Sequence, residues 1–425
     1  MGLFLGGLAG YLLIGVPIAM ALGMAAFTYL LVTGSVSMMM IFPQRMLGSV
    51  NQFVLLTIPL FLLAGNLMNH GGITQRILTF ANACVGHRKG GLSLVNVVSS
   101  MFFGGVSGAA AADTSALGTI LIPGMTRSGY PVDYAAGLTA VSSVVGSIIP
   151  PSIIMVLYGV LTGTSIAQLF LAGVVPGIMV GLSLLVYAAW VADRRGYPVA
   201  ERMSMPERFA SFVQAFPVLL LPFIILGGIL LGVFTPTESA AVAVIYALIL
   251  SAAYRSLSLR NLIDALSTTA IMTAGIMFIV SMASIVQFIL SFERIPAEVT
   301  QVILGLTDNP TLLVLLIVGF LLLLGMFLEP IAAMIISLPV LFEVAQVINL
   351  DPIHFGMIVV LTLAIGLATP PVGICLFIAC AIANISLEQI SRVALPMIGV
   401  VLIVLLLVTF VPALSTALPS IMLPR

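Results

Sequence analysis

Charged residues are scarce in this chain, and their scarcity decides its class. Only 7% of the 425 residues are Asp, Glu, Lys or Arg, whereas 61% are hydrophobic. Globular domains carry about 25% charged residues, and the mean hydropathy here is +1.29. Apolar runs of roughly 18 residues or more recur from one end to the other, so the sequence predicts an all-α polytopic membrane protein.

The balance and the placement of the few charged residues argue against several functions. The formal net charge is +0 and the basic residues form no stripe, which argues against a nucleic-acid partner. The single lysine, Lys89, lies in no phosphate-binding loop, and this disfavours a primary pump. No basic segment precedes the first apolar run, so we expect no cleavable signal peptide.

Histidine and cysteine number three each, and neither shows the spacing of a metal site. We interpret His70, His87 and His354 as loop residues. Cys375 and Cys380 lie in an apolar segment, so we predict buried structural thiols rather than a disulfide or a metal site.

One plainly aqueous segment, DRRGYPVAERMSMPER from Asp193 to Arg208, divides the chain. Its four arginines place it in the cytoplasm by the positive-inside rule. We therefore predict two halves, 1–192 and 211–425, joined by a cytoplasmic linker over 193–210. The first apolar stretch, residues 2–32, is long enough to span a membrane with a kink at Pro17.

The two halves resemble one another. IIPPSIIMVLYG (148–159) is similar to LATPPVGICLFIA (367–379), and their prolines lie 220 positions apart. DTSALGTILIP (113–123) is similar to EPIAAMIISLP (329–339) at an offset of 216, which sets Asp113 opposite Glu329. Two copies joined by a linker are typical of a secondary transporter. An odd number of spans in each copy would make the copies inverted, and we favour an odd number.

Each half contains two interruptions rich in small residues or proline. We predict a re-entrant hairpin at about 104–123 and another at about 325–346. We also predict helices broken at the Pro-Pro pairs, at about 134–162 and about 354–383. Broken backbone survives in lipid only where protein buries it or a wet cavity solvates it, and transporters build their sites from such breaks.

At these motifs the chain resembles the large membrane subunit of the tripartite ATP-independent periplasmic (TRAP) transporters, the DctM-like family. Five motifs carry the resemblance in order: IPLFLLAGNLM followed by GGI, GGVSGAAAADTSALG, IIPPS, FTPTESAA and ATPPVG. It implies a sodium-driven importer of a small organic acid, of the sialic acid or C4-dicarboxylate class, with a scaffold and a transport domain that moves as an elevator. It also implies a small four-helix membrane subunit (DctQ-like), a periplasmic substrate-binding protein, and the bacterial inner membrane.

Two or more sodium ions follow from the resemblance, and unwound backbone offers the oxygen ligands that they favour. We predict two pseudo-symmetric sodium sites, one in each half. The first contains Ser107, Ala109, Gly146, Ile149 and Pro151. The second contains Gly325, Glu329, Gly366, Thr369 and Pro371. The alternative is that these glycines and prolines only kink packed helices.

Asp113 is a candidate functional residue, because a carboxylate is unfavourable at membrane depth without a function. We predict that it orients the organic acid together with Ser107, Thr114 and Ser115, or coordinates a cation indirectly; its own hairpin could instead satisfy it. The half-helix beginning at Ser152 offers free amides to a substrate carboxylate. Glu329 and Glu238 could each cap the helix that follows them.

Several other functions stay open at this point. A stand-alone sodium- or proton-coupled organic-anion carrier is the main alternative, and a channel is another. Residues 105–108 (GVSG) also match the GxSG of an intramembrane serine protease. That enzyme needs a base beside the serine, and we expect no histidine inside an apolar segment. We therefore predict a transporter rather than an enzyme.

Overall fold

The computed structural model describes residues 2–34, 36–199, 201–307 and 309–423, and these ranges are all-helical. The helices are α1 (Gly2–Leu13), α2 (Ile18–Val32), α3 (Phe42–Val50), α4 (Thr57–His70), α5 (Ile73–Val85), α6 (Gly91–Ser107), α7 (Ala110–Arg127), α8 (Val132–Ser142), α9 (Ile153–Thr162), α10 (Ile166–Arg195), α11 (Met205–Leu230), α12 (Pro236–Ala253), α13 (Leu259–Phe292), α14 (Ile295–Leu306), α15 (Pro310–Phe327), α16 (Pro330–Val347), α17 (Pro352–Gly366), α18 (Ile374–Ala383), α19 (Leu387–Phe410) and α20 (Ala413–Met422). Short 3₁₀ segments cover Val36–Ile41, Phe53–Leu56 and Ser143–Ser147.

Seven of the described helices are long and apolar enough to cross a membrane: α10, α11, α12, α13, α15, α16 and α19. An eighth candidate span is a bent pair, Ser37–Val50 with Phe53–Asn69, whose parts meet at 57°. The multi-pass membrane class predicted from hydropathy is therefore confirmed.

The N-terminal stretch differs from the prediction of one span kinked at Pro17. It forms two helices, α1 and α2, that pack against each other. The hydroxyls of Tyr11 and Thr28 are 2.7 Å apart, and the rings of Phe4 and Tyr29 meet edge to face. Pro17 precedes α2 in an extended conformation, and proline disfavours helix in the residue before it. The break is therefore a turn between two helices.

The interhelical linker is shorter than the predicted 193–210. Asp193 to Arg195 form the last turn of α10, where Arg194 and Arg195 suit the negative end of the helix dipole. Helix α11 begins at Met205 because Ser204 and Glu207 form a capping box. The segment between these two helices is residues 196–204.

The two hairpins are longer than predicted, although their positions are as expected. Hairpin 1 consists of α6 and α7 and turns at Gly108–Ala109; hairpin 2 consists of α15 and α16 and turns at Leu328–Glu329. The predicted bounds of 104–123 and 325–346 covered most of each second arm, α7 and α16, but only the last few residues of each first arm, α6 and α15. The breaks in the two Pro-Pro helices lie between α8 and α9 and between α17 and α18, as predicted.

The two broken helices run in opposite directions. Helix α8 begins beside the linker, where the rings of Tyr134 and Tyr197 are 5.4 Å apart; we call this end of the bundle the linker face. Late in α9, at the other end, the Tyr158 hydroxyl donates to the carbonyl of Pro352, 2.8 Å away, at the start of α17. Helix α17 therefore starts at the face opposite the linker. This antiparallel course is that of an inverted repeat.

Each half also packs against the broken helix of the other half. Helix α18 of the second half lies against α7 and α8, and α9 of the first half lies against α16 and α17. The ring of Tyr158 is within 6.5 Å of those of Phe342 and Phe355. Hairpins and broken helices thus form a single packed body with contributions from both halves.

Candidate functional site

The tip of hairpin 1 is pressed against the first helix break. A Cβ atom on Gly104 would lie 2.7 Å from the Cα of Gly146, so only glycine allows this approach. Gly108 adopts a positive φ of 67°, and its carbonyl accepts a hydrogen bond from the amide of Ile153 at 3.4 Å. The turn of the hairpin therefore rests directly on the start of α9.

Asp113 lies at this junction and is fully buried. The Ser107 hydroxyl donates a hydrogen bond to its Oδ1. Its Oδ2 makes no hydrogen bond with any residue that the structure describes, and it faces Gly146, where a Cβ would lie 2.0 Å away. A buried carboxylate oxygen without a partner is unfavourable, so this atom marks a position suited to a cation or a proton donor.

A chain of hydroxyl groups ties the hairpin to the break. The Ala110 amide donates to the Ser147 hydroxyl at 3.1 Å, and the Ser152 hydroxyl donates to the Ser147 carbonyl at 2.6 Å. Ser152 also caps α9 by accepting from the amide of Met155. The Thr114 hydroxyl, also buried, donates to the carbonyl of Ala110. Of these bonds, the one between Ala110 and Ser147 joins the hairpin to the break, and the others lie within one element.

Most residues predicted for the first site meet here. Ser107, Asp113 and Gly146 are in direct contact, and Ala109 joins them because its amide donates to the Ser107 hydroxyl at 3.3 Å. Pro151 lies alongside, its carbonyl oxygen 2.7 Å from where a Cβ on Gly108 would stand.

Two predicted residues are placed differently. The Ile149 side chain packs toward α10, where it would lie 2.5 Å from a Cβ on Gly177. Ser115 is on the exposed side of α7. The structure therefore does not bring the Ser115 side chain together with Asp113.

The second predicted site has the same close backbone approach. A Cβ on Gly366 would lie 2.6 Å from the Cα, C and O atoms of Gly325. Glu329 precedes α16 and caps it, because its Oε2 accepts from the amides of Ile331 at 3.2 Å and Ala332 at 3.4 Å. The neighbouring Thr369 hydroxyl donates to a helix carbonyl, and Pro371 is exposed.

The predicted pairing of Asp113 with Glu329 is wrong by one helical turn. Hairpin 1 turns at Gly108–Ala109 and hairpin 2 at Leu328–Glu329, so Glu329 corresponds to Ala109. Asp113 lies four residues further into its arm. An offset of 216 instead of 220 keeps the same side of a helix facing inward, which is why apolar patterning did not reveal the slip. The two carboxylates are therefore not equivalent.

The prediction that the histidines are loop residues is confirmed for His87, which lies in the turn after α5, and is wrong for His354. His354 is buried in the first turn of α17, where Nδ1 lies 2.8 Å from the Ser415 hydroxyl and Nε2 lies 3.3 Å from the Thr409 carbonyl. The sequence Asp351-Pro352, an N-cap followed by proline at the first helical position, was the signal for a helix start. Both ring nitrogens are engaged away from Ser107, so His354 is not paired with that serine. His70 ends α4, and its side chain lies outside the described part of the chain.

Two other predictions are confirmed. Cys375 and Cys380 are buried free thiols. Glu238 caps α12 in a capping box with Thr235.

A contact that no sequence pattern indicated lies between Gly65 of α4 and hairpin 1, where a Cβ on Gly65 would be 3.3 Å from the Cα of Ser107.

Comparison with known proteins decides the family. Residues 5–414 match the family described as "Tripartite ATP-independent periplasmic transporter, DctM component". The chain belongs to the DctM family. This confirms the resemblance drawn from the motifs, and it makes the chain a large permease subunit of a TRAP transporter rather than an enzyme.

Two curated relatives of this DctM-family chain are similar along most of their length. The large permease protein SiaM of a sialic acid TRAP transporter from Vibrio cholerae is 40% identical over 418 residues, covering 98% of each chain. The large permease protein DctM of a C4-dicarboxylate TRAP transporter from Pseudomonas aeruginosa is 42% identical over 369 residues, covering 87% of this chain and 86% of the relative.

A solved structure resembles the fold. The YdaH transporter of Alcanivorax borkumensis, described as having an unusual topology, superposes with a TM-score of 0.64 over 91% of this chain and 90% of that one. At 14% identity the likeness concerns the fold alone.

Proposed function

We propose that this DctM-family permease imports a small organic acid and is driven by two or more sodium ions. The observation that carries the proposal is the fully buried Asp113, whose Oδ2 has no hydrogen-bond partner among the described residues. A carboxylate held at membrane depth beside broken helices indicates an ion or substrate pathway.

The first sodium site would use oxygen atoms from the tip of hairpin 1 and from the first helix break. They would be the hydroxyl of Ser107 and the backbone carbonyls of Ala109, Gly146, Ile149 and Pro151. The second site would use Glu329 and Thr369 with the backbone of Gly325, Gly366 and Pro371. Oxygen ligands at unwound helix ends are those that bind sodium in transporters of this kind.

The organic acid would bind where the hairpin meets α9. Ser152 caps this helix, and the free amides and dipole at a helix N-terminus favour a carboxylate. Ser107, Asp113 and Thr114 border the same junction, whereas Ser115 lies on the exposed side of α7 and is not included in the proposed site. The relatives named for sialic acid and C4-dicarboxylates support an acid substrate, since both compounds carry carboxylates.

An elevator motion would carry this packed body past the remaining helices. The contacts between them involve small residues: Gly65 of α4 meets Ser107, and Gly105 meets Pro222 of α11 at 2.9 Å from its Cβ position. Small residues let helices pass closely without interlocking. By the positive-inside rule the linker face is cytoplasmic, so the opposite face of the inner membrane would receive substrate from a periplasmic binding protein. A small DctQ-like subunit would accompany the permease.

Transport assays in proteoliposomes test the proposal. The permease with its small subunit should take up sialic acid or succinate steeply with sodium, and only when the cognate binding protein is present. Uptake that persists unchanged without sodium under a proton gradient would contradict the sodium coupling. Uptake that needs no binding protein would support the stand-alone organic-anion carrier instead.

The proposed role of Glu329 as a sodium ligand can be separated from its role as the cap of α16. Glu329→Gln keeps an amide oxygen for the Ile331 and Ala332 amides but removes the charge. We expect the sodium concentration for half-maximal uptake to rise about tenfold, because a charged carboxylate ligand contributes about 1.5 kcal/mol more than the neutral amide oxygen that replaces it. A variant with lowered thermal stability and unaltered sodium dependence would show that the carboxylate serves only as a cap.

A further inference from the structure

A polar cleft of about 750 Å³ lies between α3 and the C-terminal part of α13. Its walls carry amide, hydroxyl and guanidinium groups, from Gln44, Arg45, Gln52, Ser284, Gln287 and Ser291. Membrane-protein surfaces that face lipid are apolar, so this lining indicates a cleft that holds water or a polar ligand.

Arg45 is the one charged residue among those that line the cleft. Its guanidinium carbon lies 4.8 Å from the centre of the Phe288 ring, and its carbonyl accepts from the Ser284 hydroxyl at 3.2 Å. It forms no ion pair with any described residue. A guanidinium stacked on a ring keeps its fork of donors in a fixed geometry suited to a carboxylate.

The neighbouring amides are equally free. Gln44, Gln52 and Gln287 make no side-chain hydrogen bond within the described ranges, although each can donate two and accept two. A single cation surrounded by neutral donors and acceptors suits a small acid that also carries hydroxyl or amide groups. Sites for anionic lipid headgroups instead gather several basic residues.

The cleft also leads toward the hairpin body. Gln52 lines it and a second cavity of about 510 Å³, which borders the loop Gly163–Ser165 after α9 and Thr235 before α12. The end of α9 lies at the face opposite the linker, so both cavities belong to that face. The second cavity therefore lies between helices that frame the bundle and the helix that begins at Ser152.

We propose that the cleft is an entrance site, at which Arg45 binds the carboxylate of the transported organic acid before it reaches the hairpins. This inference rests on the proposed import function. The cleft volume falls within the range of about 300–1,000 Å³ typical of small-molecule sites. Because α3 and α13 lie outside the hairpin body, binding here does not require the sodium sites to be filled.

Equilibrium binding to the purified permease with its small subunit tests the inference. Radiolabelled sialic acid and succinate would be titrated with and without sodium. The wild type should show a sodium-independent component and a sodium-dependent one. Arg45→Gln should weaken the sodium-independent component about tenfold or more, since it removes a charge-assisted pair, and leave the sodium-dependent component. Asp113→Ala should do the reverse.

Two further variants serve as controls for the binding measurement. Arg294→Gln removes a cation that begins α14 and lines neither cavity, and it should bind as the wild type does. Arg45→Lys keeps the positive charge but not the two parallel donors of the guanidinium, and it should give an intermediate affinity. The unfolding temperatures of Arg45→Lys and Arg45→Gln, each compared with that of the wild type, establish whether a loss of affinity comes from unfolding.

Three outcomes would overturn the inference. The first is sodium-dependent binding alone in the wild type, which would leave the proposed function intact. The second is a sodium-independent component that Arg45→Gln does not change. The third is inorganic phosphate competing as well as the acids do, which would make the cleft a general anion or lipid-phosphate site. Absence of sodium-dependent binding of either acid would instead contradict the proposed function itself.

Discussion

Uptake by the Asp113→Ala variant is expected to fall by more than about 100-fold while the folded protein remains. The variant removes the one carboxylate at the junction of hairpin 1 and the first break, and Ser107 loses its acceptor. Under the proposed function Asp113 would balance the charge of a buried sodium ion; removing one partner of a buried charge pair costs about 3–5 kcal/mol, and each 1.4 kcal/mol is about tenfold in affinity. The measurement is sodium-driven uptake in proteoliposomes, with size-exclusion chromatography to establish that the protein is folded.

The chain offers a matched control two residues away. Ser115 lies on the same helix but on its exposed side, so Ser115→Ala should transport at a near-normal rate. Asp113→Asn tests charge alone, because it keeps an acceptor for the Ser107 hydroxyl, and it should fail nearly as completely. Near-normal uptake by Asp113→Ala would remove Asp113 from the site.

Gly366→Ala is expected to be the most disruptive single methyl group in the second half. The added Cβ would lie 2.6 Å from three backbone atoms of Gly325, and backbone cannot move aside as a side chain can. Overpacking typically costs about 1–3 kcal/mol, and displacement of the hairpin should also disrupt the sodium site proposed there. We expect a lower unfolding temperature and little uptake.

Helix α15 supplies the comparison for this variant. Gly319 lies on the same arm as Gly325, but a Cβ there meets nothing within 4 Å. Gly319→Ala should leave stability and uptake unchanged, or raise stability slightly, because alanine favours helix more than glycine does. If Gly366→Ala is as stable and active as Gly319→Ala, the close approach of the two glycines is not required for function.

The sequence was sufficient to predict the class, the duplication and the positions of the four interruptions. Gly, Ala and Pro at these points break or narrow helices by their own chemistry, and hydropathy shows the spans. The ends of the hairpin arms could not be predicted from hydropathy, because the apolar sequence of helices such as α15 shows no change in composition where the predicted bounds were set. Helix caps at Ser204 and Asp351 were readable signals that would have corrected the linker bounds and the position of His354.

The internal geometry of the site could be predicted only in part. Ser107 and Asp113 are six residues apart on one hairpin, so their proximity follows from the turn between them. The approach of Gly146 to Asp113, and of Gly65 to Ser107, depends on tertiary packing between separate elements. The pairing of Asp113 with Glu329 was wrong by one helical turn for a similar reason. Offsets of 216 and 220 can be distinguished only once the positions of the two hairpin turns are known.

The packing of α18 against α7 and α8 has a consequence for biosynthesis. Gly118 of α7 has Ile382 as its neighbour, and the ribosome adds residues at about 5–20 per second. The surface of α7 that faces α18 therefore stays uncovered for on the order of 10 to 50 s, until the ribosome has made α18. During that interval the nascent first half lacks the cover that α18 gives to α7 and α8 in the finished protein.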